Sequence, residues 1–503
     1  MDSQQFREAA ISSLDQIIIY YETIEDRRVT PTVEPGYLRK LLPEEAPQEG
    51  EPWADIQKDI EAKIMPGITH WQSPNFLAWF PSSSSYPGML GEMWSTAFTG
   101  AAFNWICSPA VTELETIVLD WIARAFNLPP CFLSTGPTNG GGVIHGTTSE
   151  AIATVMVAAR DKYLREATAQ ITDEDEREDA IALRRGRLVA LGSTATHSAT
   201  KKAAQIAGVR HRAVSVRAED GYAMTGKGLR ETIEALRGRG LEPFYLTATM
   251  GTTDVCAVDD MAGIAEVLAE LAPPGQKGEI WVHVDAAYAG SSLVCPEYNT
   301  VLTTHFDRFH SFNTNLHKWL LVNFDCSVLF VRSRRDLTDA LSVTLPILQN
   351  AATDSGLVTD YRDWQIPFGR RFRSLKVWFV IRSYGIAGLR SHIRDRVALA
   401  EGFAAMVRER SDLFEIVAGP VFALTAFKMR GRGEGASLDE QNELTKKMYE
   451  RVLADGRIFL SSTVVGGTFA IRHNPTAVLV REHHVKPHFD ILVEAAEKTL
   501  AEA

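Results

Sequence analysis

Between Leu188 and Val331 the chain repeats one pattern, a short apolar run followed by a helix-like stretch. LVALG precedes THSATKKAAQIAG, FYLTATMG precedes a helix expected over Met261 to Leu271, IWVHVD follows, and CSVLFV closes the series. Runs that are apolar on both faces need cover on both faces. The alternation therefore predicts an α/β fold, a mostly parallel sheet with helices on either side. Ligands in such sheets bind where the strands finish at their carboxyl ends, so residues just after those strands are the first candidates for chemistry.

One of them is Asp285, which closes a strand expected over Ile280 to Val284. Another lies in SFNTNLHKWLLVNFDCSVLFV, where Lys318 sits between His317 and Trp319. Little countercharge flanks this lysine in sequence, so its ammonium pKa is expected to fall and its amine to become a nucleophile of the kind that forms Schiff bases. Such a lysine, paired with an acid for a pyridinium nitrogen, is what pyridoxal 5'-phosphate (PLP) requires. Taken alone, a lysine in a His-Lys-Trp setting is more often structural, and the rest of the chain has to carry the assignment.

Other stretches point to the same end of the sheet. STGPTNGGGVIHGTTSEAIATVMVAARDKY joins a glycine-rich loop to Thr147, Thr148, Ser149 and a helix, and free amides at a helix start favour an anion. It has neither a Walker lysine nor a GxGxxG after a strand, which makes nucleotide binding the poorer reading. His197 follows LVALG, and its imidazole has the shape to stack on a pyridine ring; a lone histidine is more often simply satisfied or solvated. Thr249, Thr252 and Thr253 end a strand, where turn capping is the ordinary role for such hydroxyls. HWQSPNFLAWFPSSSSYPGML crowds Trp71, Phe76, Trp79 and Phe80 between prolines and serines, which suits the wall of an apolar pocket as well as core packing.

At the N-terminus Phe6, Ala10, Leu14, Ile17, Ile18 and Tyr21 recur at helical spacing, with no partner surface nearby in sequence. A second helix is expected near Trp53 to Ile64, a third from Ala110 to Leu128, and a charged helical excursion from Ile171 to Gly186. RRDLTDALSVTLPILQNAATDSG lacks a sustained period and holds Pro346, so a mobile loop is expected there. Helices return over Leu375 to Tyr384 and Gly388 to Arg410, and an αβ unit runs to a closing helix near Phe489 to Ala501.

Composition narrows the function classes. A net charge of -11 over 503 residues offers no broad basic surface, which argues against nucleic acid as a partner. The five cysteines are odd in number and lack metal-ligand spacing, so they are expected to be reduced core thiols of a cytoplasmic protein, and no metal site is expected. No apolar run is long enough for a membrane span, and MDSQQFREAA lacks the order of a secretory signal.

Taken together, THS, HVDAAYAG, NLHKWLLVNFDCS, DSGLVTDYRDWQIPFGRRFRSLKVW and HWQSPNFLAWFP resemble the aromatic L-amino acid decarboxylases of the PLP-dependent group II family, from about Arg7 to about Leu492. The resemblance implies a type I PLP-dependent transferase-like fold with a mostly parallel seven-stranded sheet. It also implies an obligate homodimer with an N-terminal swapped helical segment (1–85), a large cofactor domain (86–375) and a small C-terminal α+β domain (376–503). By the same resemblance Lys318 carries the cofactor, Asp285 faces the pyridine nitrogen, Ala287 touches the ring and His197 stacks on it. Thr148, Ser149, Asn315 and His317 cradle the phosphate, and Thr253 lies against the cofactor. Trp71, Trp79, Phe80, Pro81 and Ser82 match the substrate pocket, with Ala101 and Phe103 entering from the neighbouring subunit.

Two further positions bear on substrate and product. Gly369 stands where plant relatives carry glycine for indolic and serine for phenolic substrates. The family's proton-donating loop tyrosine is replaced by Ile347, or by Leu348 with a one-residue slip, and neither side chain can donate a proton. Related aldehyde synthases also lack that tyrosine. The expected reaction is decarboxylation of an aromatic L-amino acid to its amine, with His197 or a water supplying the proton, and oxygen-dependent aldehyde formation is the alternative.

Overall fold

The computed structural model describes residues 1–343, 358–433 and 435–502. Seven strands form the main sheet: β1 (Gly141–His145), β2 (Leu188–Ser193), β3 (Arg210–Val214), β4 (Glu242–Thr249), β5 (Trp281–Asp285), β6 (Ser311–Asn315) and β7 (Ser327–Val331). Their order is β1-β7-β6-β5-β4-β2-β3. From β3 through β6 neighbouring strands pair in parallel, and β7 runs antiparallel to both β6 and β1. Successive side chains along a strand supply opposite faces. Leu188 and Ala190 of β2 pack toward the helices Thr148–Ala167 and Ala199–Ile206, while Val189 and Leu191 pack toward Pro109–Ala125, Gly226–Gly238 and Met261–Leu271. Cover on both faces is what the uninterrupted apolar runs demand.

A second sheet is antiparallel: β8 (Phe414–Val421), β9 (Leu424–Met429), β10 (Ser461–Val465) and β11 (Thr468–His473), in the order β10-β11-β9-β8. The helices Leu438–Asp455 and Glu482–Glu502 contribute to its core. One long helical run, Arg373–Glu409, joins the two regions and is interrupted at Gly385, whose φ of 62° is non-helical. Val377 and Val380 before that break belong to the core of the large sheet, and Phe403 and Val407 after it to the core of the small one.

The structure departs from the sequence expectations in three places. The glycine-rich stretch before Thr147 is partly β1, a buried strand. Arg334–Leu341, expected to be loop, is a helix that Leu337 anchors against Thr148–Ala167. Residues 344–357, with Ile347 and Leu348, lie outside the described residues. The closing helix begins at Glu482 rather than near Phe489, with Pro487 inside it.

The opening helix, Ser3–Glu22, starts at a capping box formed by Asp2 and Gln5. Ala9 is its one buried residue, while Phe6, Leu14, Ile17 and Ile18 are exposed in the single chain. Among the described residues no helix is long and apolar enough to cross a membrane.

The helix Tyr86–Ala97 crosses Arg373–Glu409 at Gly91, where a Cβ would lie 2.5 Å from the Lys376 Cα. The obstacle is backbone, so it cannot swing aside. Gly91→Val should destabilise the protein by about 1–3 kcal/mol, read as a lower thermal midpoint; an unchanged midpoint would show that this crossing is not tightly packed.

Candidate active site

Four chain segments meet where the strands end. Thr249 of β4 stands in register with Asp285 of β5. The Asp285 carboxylate accepts from the Ala287 amide at 3.0 Å, and the Ala287 carbonyl accepts from the Asn315 amide at 3.0 Å. Asn315 closes β6, and the next helical turn, Leu316–Trp319, carries Lys318. The chain then returns through β7, so the lysine is held inside a hairpin built into the sheet. The sheet thus brings Lys318, Asp285, Ala287, Asn315 and His317 to one edge.

Burial pushes the Lys318 ammonium down to about 8, against the opposing pull of the Asp285 carboxylate. The lysine is therefore not poor in countercharge, as its sequence neighbours suggested; desolvation outweighs an acid brought in by β5. Its backbone is clamped from the N-terminal region. The Ser83 hydroxyl donates to the Lys318 carbonyl at 2.8 Å, and the Ser83 amide donates to the His317 carbonyl at 2.6 Å. The Lys318 Nζ lies 5.1 Å from the centroid of Phe80, whose ring stacks on Tyr288 at 3.7 Å, and Tyr288 stacks on Trp319 at 4.8 Å.

Arg472, on β11, also belongs here and was missed in sequence. Its guanidinium lies 5.0 Å from the Phe80 centroid and donates to the Ser461 hydroxyl at 2.9 Å and the Asp254 carbonyl at 3.2 Å. Ser461 in turn accepts from the Trp79 amide, so Arg472 braces the aromatic wall. Its charge also helps to lower the Lys318 pKa. An arginine inside the apolar run TFAIRH was the available sign. Ser83 and Tyr288 gave no comparable signal.

The residues expected to bind an anion gather beside Asn315. The hydroxyl of Thr147 caps the Glu150 amide, and Thr148 and Ser149 are the first two residues of the helix that follows, whose early amides have no partner within the helix. The Thr148 hydroxyl donates to Asn315 Oδ1 at 2.7 Å, and the Asn315 amide nitrogen has no partner among the described residues. His317 Nδ1 accepts from the Cys326 amide at 2.8 Å, and burial, with Lys318 adjacent, pushes its pKa to about 3. His317 is thus neutral with its proton on Nε2. Backbone amides, a side-chain amide and an imidazole N–H suit a phosphate, and an amine of lowered pKa near a buried carboxylate suits the aldehyde and ring nitrogen of PLP. The residues present fit this cofactor.

His197 is exposed beyond β2, and its Nδ1 accepts from the Ala199 amide at 3.1 Å, so Nε2 bears the proton of the neutral ring. Thr253 is exposed in the turn after β4, beside the buried Thr252 that caps the Ala257 amide. Trp71 stacks on Trp79 at 5.3 Å, and Trp79 meets Phe459 edge-on at the same distance. Pro81 is buried, and Ser82 accepts from Gln72 through its carbonyl at 2.6 Å.

Ala101, Phe103 and Gly369 form a separate group. The Arg370 amide donates to the Ala101 carbonyl and the Arg362 amide to the Phe103 carbonyl, both at 3.2 Å, while Phe103 packs on Phe368 at 4.7 Å. Arg370 itself is buried against Glu115 at 2.6 Å. Among the described residues no hydrogen bond or ring contact ties this group to Lys318, Asp285 or His197. Elsewhere, Glu25, His483 and His484 bring three possible ligand atoms within 4.8 Å of one another. His484 Nδ1, however, accepts from the Arg481 amide, so Nε2 carries a proton toward Glu25 rather than a lone pair toward a metal.

Comparison with known proteins agrees with this geometry. The pyridoxal-dependent decarboxylase conserved domain matches residues 35–430. The chain is 43% identical to phenylacetaldehyde synthase of Arabidopsis thaliana, covering 99% of this chain and 97% of the relative. It is 43% identical to tyrosine decarboxylase 2 of Narcissus pseudonarcissus, covering 100% and 96%. The crystal structure of Oryza sativa TDC with PLP and tryptamine superposes with a TM-score of 0.92 at 38% identity over 99% of each chain. The fold is the type I PLP architecture: N-terminal helices, a large mostly parallel sheet, and a separate small C-terminal β-rich part.

The carboxylate of Asp285 favours the charged form of Lys318, so removing it must lower the lysine pKa further. In the cofactor-free protein the reactivity of Lys318 toward an aldehyde should rise through a midpoint near pH 8, and Asp285→Asn should move that midpoint to lower pH. A midpoint near the ordinary lysine value, or one that moves upward in the variant, would contradict the arrangement.

Proposed function

We propose, for this chain, which belongs to the pyridoxal-dependent group II decarboxylase family and decarboxylates an aromatic amino acid using PLP, that the product is the arylalkylamine and that the preferred substrate is of the tryptophan type. The observation that carries the amine reading is His197, an imidazole at the strand ends whose Nδ1 accepts from Ala199, which puts the proton of the neutral ring on Nε2, an atom with no hydrogen-bond partner among the described residues. Bound PLP supplies the electron sink for the pair released when the bond from Cα to the carboxylate breaks.

The chain's own residues do the rest. Lys318, kept partly neutral by burial and by Arg472, offers its amine to the cofactor aldehyde. Asp285 holds a proton on the ring nitrogen. Thr148, Ser149, Asn315 and His317 would hold the phosphate, and Ala287, Thr253 and His197 would lie against the rest of the cofactor. Trp71, Trp79 and Phe80, with Pro81 and Ser82, wall in the aromatic side chain and exclude water. At the end of the reaction Nε2 of His197, directly or through a water, returns a proton to Cα.

Gly369 supports the indolic preference, since a Cβ there would sit 4.0 Å from the Ala101 Cβ and its absence leaves width for a two-ring side chain. A homodimer accounts for two features. It covers the exposed Phe6, Leu14, Ile17 and Ile18, and it lets Ala101, Phe103 and Gly369 of one copy reach the pocket of the other. All five cysteines are free, which suits a cytoplasmic protein, but only four are in the core as expected, since Cys107 is exposed.

Aldehyde formation is the second reading. The observation that favours it is in the sequence, where residues 342–357 contain no tyrosine. Incubation with tryptophan, tyrosine and dopa, with amine, carbon dioxide, aldehyde and peroxide measured together, tests both. The amine reading predicts one amine per carbon dioxide, most from tryptophan, and no turnover in Lys318→Ala. Aldehyde with stoichiometric peroxide would overturn it.

A further inference from the structure

Asn315 can turn either end of its amide toward the anion site, and which end it offers is decided deep inside the sheet. Trp281, at the start of β5, donates from its indole nitrogen to the Ser311 hydroxyl at 2.8 Å. An indole N–H only donates, so Ser311 accepts there, and among the described residues the one acceptor within reach of its own hydrogen is His283 Nδ1, 2.8 Å away. An imidazole accepting at Nδ1 carries its proton on Nε2, and that nitrogen lies 2.8 Å from Asn313 Oδ1. The Asn313 amide nitrogen then donates to the Thr148 hydroxyl at 3.0 Å, and Thr148 donates to Asn315 Oδ1 at 2.7 Å.

All five bonds point the same way, and all six residues are buried, with Ser311, His283 and Asn313 wholly without solvent contact. Reversing the series would leave the buried Ser311 hydroxyl hydrogen without a partner among the described residues. Burial also keeps His283 neutral at ordinary pH, its pKa lowered to about 4, which preserves the acceptor at Nδ1. The series begins at a group that can only donate and ends at the free nitrogen of Asn315.

We propose that Trp281, Ser311, His283 and Asn313 are positioning residues, a one-directional hydrogen-bond chain that holds Asn315 with its amide nitrogen, not its oxygen, toward the cofactor phosphate. This rests on the reading that Asn315 binds that phosphate. When the chain is cut, the Thr148 hydroxyl is free to rotate and the Asn315 amide to turn over, setting an oxygen against a dianion. The loss is then confined to ligands that carry the phosphate.

The test compares binding of PLP and of pyridoxal, which lacks the phosphate, to the cofactor-free protein by quenching of intrinsic fluorescence. The ratio of the two dissociation constants isolates the phosphate contribution. His283→Leu should weaken PLP about tenfold and pyridoxal less than about twofold, the loss of one hydrogen bond to a charged group. His283→Gln, whose amide oxygen and nitrogen can replace Nδ1 and Nε2, should restore the ratio. Adding His283→Leu to Asn315→Ala should change the ratio no further. If His283→Leu does not fold, Ser311→Ala cuts the same chain with a smaller change of volume and should likewise weaken PLP more than pyridoxal. Equal weakening of both ligands, no recovery with Gln, or a full further loss on the Asn315→Ala background would overturn the proposal. An unchanged ratio in Asn315→Ala alone would instead show that the phosphate lies elsewhere and remove its premise.

Discussion

The structure depends on a desolvated lysine held within reach of a buried carboxylate. Removing Lys318 from water destabilises its ammonium, while Asp285 stabilises it, and burial dominates, leaving the pKa at about 8. That balance leaves a usable fraction of neutral amine near neutral pH without making the lysine a permanently uncharged core residue. It also requires several parts of the chain to be in place together. β5 brings Asp285, the β6–β7 hairpin brings Lys318, Ser83 from the N-terminal region clamps the Lys318 carbonyl, and Arg472 from the small sheet adds positive charge beside it. The two cores and the N-terminal segment therefore meet at one side chain.

Most of this frame was legible because the physics that forms it is local. β2, β4, β5 and β7 read as strands because they are apolar on both faces, and the break at Gly385 separates the two helices expected on either side of it. β1 was obscured by its own packing. A Cβ on Gly142 would lie 2.9 Å from the Phe330 ring, and one on Gly140, just before the strand, would lie 2.0 Å from the Cys131 carbonyl, so glycine stands where bulk would collide and the stretch reads as a loop. β3 is an edge strand of mostly polar residues, without the apolar signature of its neighbours.

What sequence could not show is what long-range contact decides. Arg472 is far from Lys318 in the chain, and only the docking of β11 against the Trp79 wall brings it there. Ala101, Phe103 and Gly369 are joined through Arg370 and its buried partner Glu115, a contact spanning 255 positions. The direction of the chain from Trp281 to Asn315 is likewise invisible in sequence, since it follows from which donor lies across from which acceptor in the registered pair β5 and β6. The residues proposed to do chemistry were readable as types at strand ends; their protonation and orientation are products of the fold.

The most direct test of the central claim is chemical trapping. The protein loaded with PLP is reduced with borohydride, digested, and searched by mass spectrometry for the lysine that carries the cofactor. The account predicts a single modified residue, Lys318, with the label lost in Lys318→Ala. A label on another lysine, or none on a protein that has bound the cofactor, would contradict it.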